Sequence, residues 1–201
     1  MVLRPDLDII SGWINPNSRV LDLGCGDGTL LAYLWNKRKV TGYGLEIDPE
    51  KIIKCINADV NVIQADIDKG LRDINNDTFD YVILTQTLQA VQHPGRLLDE
   101  MLRVGNEGIV TFPNFAHWRN RVQITFGGRM PVSRNLPDEW FDTPNIHLCS
   151  VRDFEVLCRE KNIEILQRSV VDHLHRTSPL MRLMPNLIAE FALYRIRRRV
   201  R

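Results

Sequence analysis

An acidic residue followed by three closely spaced glycines is the clearest chemical signal in this 201-residue chain. Asp22 precedes Gly24, Gly26 and Gly28 in the pattern D-x-G-x-G-x-G. A dinucleotide fingerprint requires G-x-G-x-x-G, and Thr29 stands where its third glycine would be. A carboxylate at this position would repel a pyrophosphate, but it would suit a ligand that carries a positive amine.

The glycine run lies between a predicted strand, Arg19–Leu23, and a predicted helix, Thr29–Lys37. Strand, glycine-rich turn and helix open a nucleotide-type site, where glycine supplies positive φ and lets a ligand approach the backbone. S-adenosylmethionine (SAM) carries an amine and a sulfonium but no phosphate, so it suits the acid better than a dinucleotide does. On these residues the chain resembles the class I SAM-dependent methyltransferases.

A second acid, Glu46, ends the next predicted strand, Val40–Glu46, about 20 residues after the glycine turn, as nucleotide-binding folds require. Asp48 and Pro49 then supply an N-cap and a first helical residue. A carboxylate at Glu46 can accept hydrogen bonds from both ribose hydroxyls of a ligand. The alternative is a solvated surface acid.

The methyltransferase resemblance implies further contacts after the third strand. Asp66 stands where the family places the acceptor for the adenine amine, although Asp is also common in turns. Ile47 and Ile67 would form apolar walls for the adenine ring. The predicted ligand is SAM or S-adenosylhomocysteine, and the predicted cofactor-binding residues are Asp22, Gly24, Cys25, Gly26, Glu46, Ile47, Asp66, Ile67 and Thr85.

The acceptor side of the site is less defined. Thr85–Val91 follows the fourth strand without the N-P-P-Y or D-P-P-Y run that many amine-methylating members carry, which argues against methylation of an amide or adenine. The long segment from Gly127 to His147 is typical of a functional lid, and its aromatic residues predict that it is anchored over an acceptor pocket. Trp118, Asp142 and His147 are therefore acceptor-site candidates, with surface packing as the alternative. His117, His147 and Asp142 are the candidate bases. No catalytic residue is assigned.

Composition excludes several classes of function. The chain is 44% hydrophobic and 25% charged with a net charge of +1, so it shows no electrostatic drive toward nucleic acid or membranes. Its four cysteines lack C-x-x-C spacing and read as free thiols of a reducing compartment, and no metal site is predicted. With no signal-like or membrane-spanning run, we expect a cytoplasmic location. The arginine-rich end of the chain reads as a solvated tail.

Alternating strands and helices predict a single doubly wound α/β domain over residues 1–201. A helix over Arg4–Trp13 precedes the sheet and either covers the cofactor, as in the family, or caps the sheet. The resemblance implies a Rossmann-like, mostly parallel sheet of seven strands with the last antiparallel, and residues 115–150 form a lid-like or docking insertion. The later strands are predicted at Val60–Gln64, Tyr81–Leu84, Gly108–Phe112, Ile163–Val171 and Ala189–Arg197.

Four runs resemble the MetW family of methionine-biosynthesis proteins: Leu3–Ile14, Arg19–Leu34, Phe112–Arg121 and Gly127–Glu155. The resemblance implies work alongside homoserine O-acetyltransferase in a bacterial cytoplasm. Two functions follow as hypotheses, a SAM-binding module that regulates the acetyltransferase and a SAM-dependent methyltransferase acting on a small molecule. The oligomeric state stays open, with a homodimer among the alternatives.

Overall fold

The computed structural model describes residues 5–133, 136–174 and 176–199. Parts of the predicted first helix and arginine-rich end, and residues 134 and 135 of the predicted lid, lie outside the described residues. The strands are β1 Arg19–Leu23, β2 Thr41–Glu46, β3 Val62–Gln64, β4 Phe79–Thr85, β5 Gly105–Pro113, β6 Ile163–Val171 and β7 Phe191–Arg198. The helices are α1 Pro5–Trp13, α2 Thr29–Arg38, α3 Pro49–Asn57, α4 Pro94–Val104, α5 Trp118–Gly127, α6 Val151–Glu160, α7 Pro179–Leu183 and α8 Pro185–Ile188.

The seven strands form one sheet in the order β3-β2-β1-β4-β5-β7-β6. The first five strands are parallel, and β7 runs antiparallel to both β5 and β6. This arrangement confirms the predicted fold class. The carboxyl ends of β1, β2, β4 and β5 therefore meet at one edge, where open α/β sheets bind their ligands.

Alternation along the central strands divides the core between the two faces of the sheet. Val20 of β1 packs with α1 and α2, whereas Leu21 packs on the opposite face with α4 and α6. Tyr81 and Val82 of β4 divide in the same way. The strands are buried on both faces, as parallel strands covered by helices must be.

Helix ends follow the local sequence closely. The side chain of Asp48 accepts the N–H of Glu50 at the start of α3, and Ser150 and Asp153 form a reciprocal capping box at the start of α6. The first of these contacts confirms the predicted N-terminus of α3. The expected strand from Val60 begins only at Val62, although Val60 itself is buried.

The arginine-rich end is a strand up to Arg198 rather than a tail, although Arg197, Arg198 and Arg199 are exposed to solvent as expected. Arg195, Arg197 and Arg198 belong to β7, and they pair with Glu107, Glu164 and Asp99 respectively. A run of like charges in sequence alternates between the two faces of a strand, so each arginine meets its own acid. Among the described residues, no helix is both long and apolar enough to cross a membrane.

Candidate functional site

Two adjoining cavities lie at the carboxyl edge of the parallel strands. The larger cavity, of about 530 Å³, extends over the ends of β2 and β3, and the smaller one, of about 360 Å³, lies between the end of β1 and α1. Both are lined by Gly24, Gly26, Thr85 and Gln86. Because they share these walls, one extended ligand can reach from one cavity into the other.

The glycine turn has the backbone geometry that its spacing predicted. Gly24, Gly26 and Gly28 all have positive φ, at 70°, 60° and 77°. A Cβ on Gly24 would also lie 3.0 Å from the side-chain oxygen of Thr87. The N–H groups of Gly24 and Cys25 both donate to the carbonyl of Leu45, which ties the turn to β2. The turn is thus fixed to the neighbouring strand, and it leaves backbone exposed to both cavities.

Glu46 is held by the backbone around it rather than by solvent. Its side chain is 5% exposed, so the alternative of a solvated acid is wrong. Oε1 accepts the N–H groups of Ile47 and Asp48 at 2.9 and 3.0 Å, and Oε2 accepts the N–H of Gly26 at 2.9 Å. Each carboxylate oxygen has two acceptor sites. This arrangement therefore leaves one site on Oε2 for a ligand hydroxyl, where the sequence had suggested room for two.

Asp22 is the buried polar group of the smaller cavity that lacks a protein partner. It is 1% exposed, and its Oδ1 has no hydrogen-bond partner among the described residues. Burial, and secondarily the charge of Glu46, raises the pKa of Asp22 to about 7. An unpaired buried carboxylate is costly. A ligand ammonium beside Asp22 would supply both the missing hydrogen bond and the compensating charge.

Asp66, Ile47 and Ile67 line the far end of the larger cavity. Asp66 accepts the N–H of Asp68 at 3.0 Å and caps a single short 3₁₀ turn, so the turn role anticipated as an alternative is present. Its position on the cavity wall leaves the predicted ligand role open as well. Ile47 is 59% exposed and offers apolar surface to the cavity mouth.

Every predicted cofactor-binding residue lines at least one of the two cavities, which brings the set together although its ligand role stays a prediction. Sequence reasoning missed Gln86, which lines both cavities with φ of 50° and donates its N–H to the side-chain oxygen of Thr111. It also missed Pro144, which reaches the larger cavity from the long segment after α5. Neither a left-handed Gln nor a distant proline leaves a readable sequence signal.

The long segment is fixed beside the cleft by backbone hydrogen bonds. The N–H groups of Ile146 and His147 both donate to the carbonyl of Gln89 at 2.9 Å, and a ring nitrogen of His147 lies 3.2 Å from the carbonyl of Gln92. These bonds place Pro144 at the cavity wall. The segment therefore borders the larger cavity at Pro144, as a lid would.

The acceptor-site candidates are not gathered around the cleft. Trp118, Asp142 and His147 are exposed, and none of them lines either cavity. His117 is buried at the start of α5, where burial lowers its pKa. The expectation of anchored aromatics is wrong, because Trp140 and Phe141 are 72% and 71% exposed.

Cys25 fills space beneath the glycine turn. Its sulfur lies 3.8 Å from that of Cys55, and a Cβ on Gly44 would lie 2.3 Å from it. All four cysteines are free, as predicted. Burial raises the pKa of both Cys25 and Cys55, so neither is poised as a nucleophile. The described residues contain no cluster of His, Cys, Asp and Glu able to hold a metal ion.

Residues 4–196 match the family described as "Methionine biosynthesis protein MetW". The chain belongs to the MetW family. A curated MetW-containing relative, the "Bifunctional methionine biosynthesis protein MetXA/MetW" of Rhodopirellula baltica, is 37% identical over 174 residues. That alignment covers 82% of this chain but only 28% of the relative.

Solved structures of other proteins show the same fold. A SAM-dependent methyltransferase from Mesorhizobium loti has a TM-score of 0.71 at 17% identity, covering 96% of this chain and 98% of that one. The [4+2]-cyclase SpnF has a TM-score of 0.69 at 18% identity, with 97% and 81% covered. A SAM-dependent methyltransferase from Archaeoglobus fulgidus has a TM-score of 0.65 at 13% identity, with 96% and 91% covered.

Proposed function

We propose that this MetW-family protein binds SAM across the two cavities and docks on homoserine O-acetyltransferase, whose activity it regulates according to SAM occupancy. The observation that carries SAM binding is the unpartnered Oδ1 of Asp22, buried beside a phosphate-free glycine turn. The amine of SAM would pair with Asp22, a ribose hydroxyl would reach Oε2 of Glu46, and the adenine would lie by Asp66. Bound SAM would supply a methyl group on an activated sulfonium.

The residues that line the two cavities favour the regulatory role. None of the three acceptor-site candidates lines them, and Cys25 is buried with a raised pKa. The relative from Rhodopirellula baltica carries MetXA, the homoserine O-acetyltransferase part, and MetW on one polypeptide. SAM is made from methionine, so a SAM-binding partner of the acetyltransferase would report the output of the pathway. Binding at one protein would alter the other through linkage.

Methyl transfer to a small molecule is the competing function. Two solved structures of this fold are described as SAM-dependent methyltransferases, while another is a [4+2]-cyclase. The same fold therefore supports different reactions, so the residues of the site, and not the fold, indicate which reaction takes place. Thr85 and Gln86, at the carboxyl end of β4, are the residues that would face an acceptor, and neither is a general base.

The proposed function predicts that SAM changes acetyltransferase activity only when this chain is present. Purified homoserine O-acetyltransferase from the same organism is assayed alone, with the chain, and with the chain plus SAM. We expect a change of about fivefold or more between the last two conditions, within the usual range of coupling energies. 5′-Methylthioadenosine, which lacks the amine, serves as the ligand control. Indifference of the activity to both chain and SAM, or transfer of labelled methyl to a small molecule, contradicts the regulatory proposal.

The affinity for SAM should depend on pH through Asp22. Its pKa of about 7 means that a proton must leave before the carboxylate can pair with an ammonium, so binding weakens below pH 7. An α-amino group loses its charge above about pH 8, so binding weakens again there. Calorimetric titrations should therefore give tightest SAM binding at pH 7–8 and about tenfold weaker binding at pH 6. If Asp22→Asn still binds SAM more weakly below pH 7, a group other than Asp22 causes the pH dependence. The same conclusion follows if the wild-type chain binds 5′-methylthioadenosine more weakly below pH 7.

A further inference from the structure

An unpartnered apolar surface lies on α5 and the segment that follows it. Every residue from Arg121 to Met130 is exposed, so the carboxyl-terminal part of α5 projects from the domain. Phe126 is 85% exposed and Trp140 is 72% exposed. We define the α5 surface as Val122, Phe126, Met130, Val132, Trp140 and Phe141, all of which are exposed apolar side chains.

Hydrogen bonds hold the segment of the α5 surface that follows the helix against α5. The side chain of Gln123 both accepts the N–H of Val132 at 3.0 Å and donates to its carbonyl at 3.2 Å, which fixes the segment on the helix. A groove of about 770 Å³ lies between them, lined by Met130, Val132 and Trp140 among others. Phe141 packs edge-on against Trp140, with ring centroids 5.6 Å apart. The groove thus presents the ring of Trp140 to whatever binds there, with Phe141 beside it on the exposed surface.

The size of the α5 surface matches that of a protein interface. Its six residues together expose roughly 700 Å², much of it apolar. A standard protein–protein interface buries about 800 Å² on each partner. Large aromatic side chains such as Phe126 and Trp140 are also the residues that most often dominate binding energy.

The same segment connects the α5 surface to the larger cavity. Four residues after Trp140, Pro144 lines that cavity, and the next bonds of the segment anchor it to the carbonyl of Gln89. A protein that holds Trp140 would therefore restrain the cavity wall, and a ligand against Pro144 would restrain the α5 surface. A protein that must respond to SAM occupancy would bind here rather than on a face remote from the cleft.

We infer that the α5 surface is where homoserine O-acetyltransferase docks, an inference that rests on the partnership proposed above. The acetyltransferase would insert its own apolar side chains into the groove and cover Phe126 and Trp140. Exposed Ile53 and Ile56 on α3 offer a matched comparison, because they are 58% and 61% exposed and line neither the groove nor the two cavities.

The test measures binding of immobilised acetyltransferase to the full chain by biolayer interferometry. Phe126→Ser/Trp140→Ser should weaken binding at least tenfold, whereas Ile53→Ser/Ile56→Ser should stay within twofold of wild type. Each variant must keep the SAM-induced rise in melting temperature, which reports an intact fold and cleft. If the first double variant fails that check, Phe126→Lys alone replaces it, because that side chain is 85% exposed and its loss leaves the fold intact.

The outcomes separate this inference from the proposed function. If the wild-type chain does not bind the acetyltransferase at all, the proposed partnership itself is wrong. If it binds and the Phe126/Trp140 variant binds equally well, the partnership stands and the docking surface is overturned. Light scattering on the chain alone gives the third outcome. A wild-type dimer that the same variant turns into a monomer assigns the α5 surface to a second copy, and this also overturns the inference.

Discussion

Replacing Glu46 with alanine should lower the affinity for SAM at least 100-fold and lower the melting temperature of the ligand-free chain by roughly 5–15 °C. The carboxylate accepts three backbone N–H groups, from Gly26, Ile47 and Asp48, so it joins the glycine turn to the end of β2. Hydrogen bonds to a charged group contribute about 1.5–3 kcal/mol each, although the freed N–H groups will partly rehydrate. A net loss of about 2–4 kcal/mol gives the stated change in melting temperature for a domain of this size.

Glu50→Ala is the matched control for Glu46→Ala. Glu50 lies on the exposed face of α3, four residues later, and lines neither cavity. We expect its SAM affinity to match that of wild type and its melting temperature to fall by no more than a few degrees. Both quantities can be read from one set of thermal melts at increasing SAM concentration. Equal SAM responses in the two variants would remove Glu46 from the site.

Replacing Asp22 with asparagine should have the opposite effect on stability while still weakening SAM binding at least 100-fold. At pH 8 the wild-type protein buries an unpaired carboxylate, and a pKa raised from 3.8 to about 7 corresponds to a cost of roughly 4 kcal/mol. The asparagine amide is also polar and only partly satisfied there, so we expect a net gain of about 1–3 kcal/mol. The ligand-free variant should melt roughly 3–9 °C higher than wild type.

The pH dependence of this gain provides its own control. The pKa of Asp22 is higher in the folded state than in the unfolded state, so the folded state is favoured while Asp22 is protonated. This stabilisation is fully present below about pH 4 and is lost as the pH rises through 7. The advantage of Asp22→Asn should therefore shrink between pH 8 and pH 5. Asp73→Asn, at an exposed position, is the matched control substitution. If Asp22→Asn is more stable than wild type by the same amount at both pH values, the buried charge of Asp22 is not the cause of the difference.

A gain in stability together with a loss of binding is the signature of a group retained for function. A carboxylate kept only for the fold would find a partner, as Glu46 does in three N–H groups. Asp22 has no such partner for Oδ1 among the described residues, and it lies beside the smaller cavity. The two substitutions therefore distinguish Glu46, which holds the glycine turn in place, from Asp22, which we expect to pair with a ligand.

The doubly wound fold and the positions of Asp22 and Glu46 were accessible from sequence because they depend on local chemistry, whereas the seven-stranded sheet and the roles of Asp66, Ile47 and Ile67 were implied by the family resemblance. The strand at Arg19–Leu23, the positive-φ glycines and the cap at Asp48 are each dictated by a few neighbouring residues. Once the strands are parallel, topology brings Asp22 and Glu46 to one edge of the sheet. No long-range contact needed to be known for this step.

The rest of the site depends on long-range contacts that no local pattern encodes. Pro144 reaches the larger cavity because a distant carbonyl, that of Gln89, accepts two backbone N–H groups of its segment. The aromatic residues of that segment were expected to be anchored, yet Trp140 is exposed, because aromatic side chains suit a core and an interface equally well. Composition alone does not separate these two uses.

The central claim is that a cationic adenosyl amino acid occupies the two cavities, and isothermal titration calorimetry of the wild-type chain at pH 7.5 tests it most directly. We predict saturable binding of SAM at one site per chain, clearly weaker binding of 5′-methylthioadenosine, and no binding of NAD⁺ at the same concentrations. The loss of affinity without the charged amino-acid part would report on the smaller cavity that Asp22 lines, and the rejection of NAD⁺ would report on the exclusion of a pyrophosphate by the same acid. Saturable binding of NAD⁺, or no binding of SAM either by calorimetry or by a shift in melting temperature, would contradict the account.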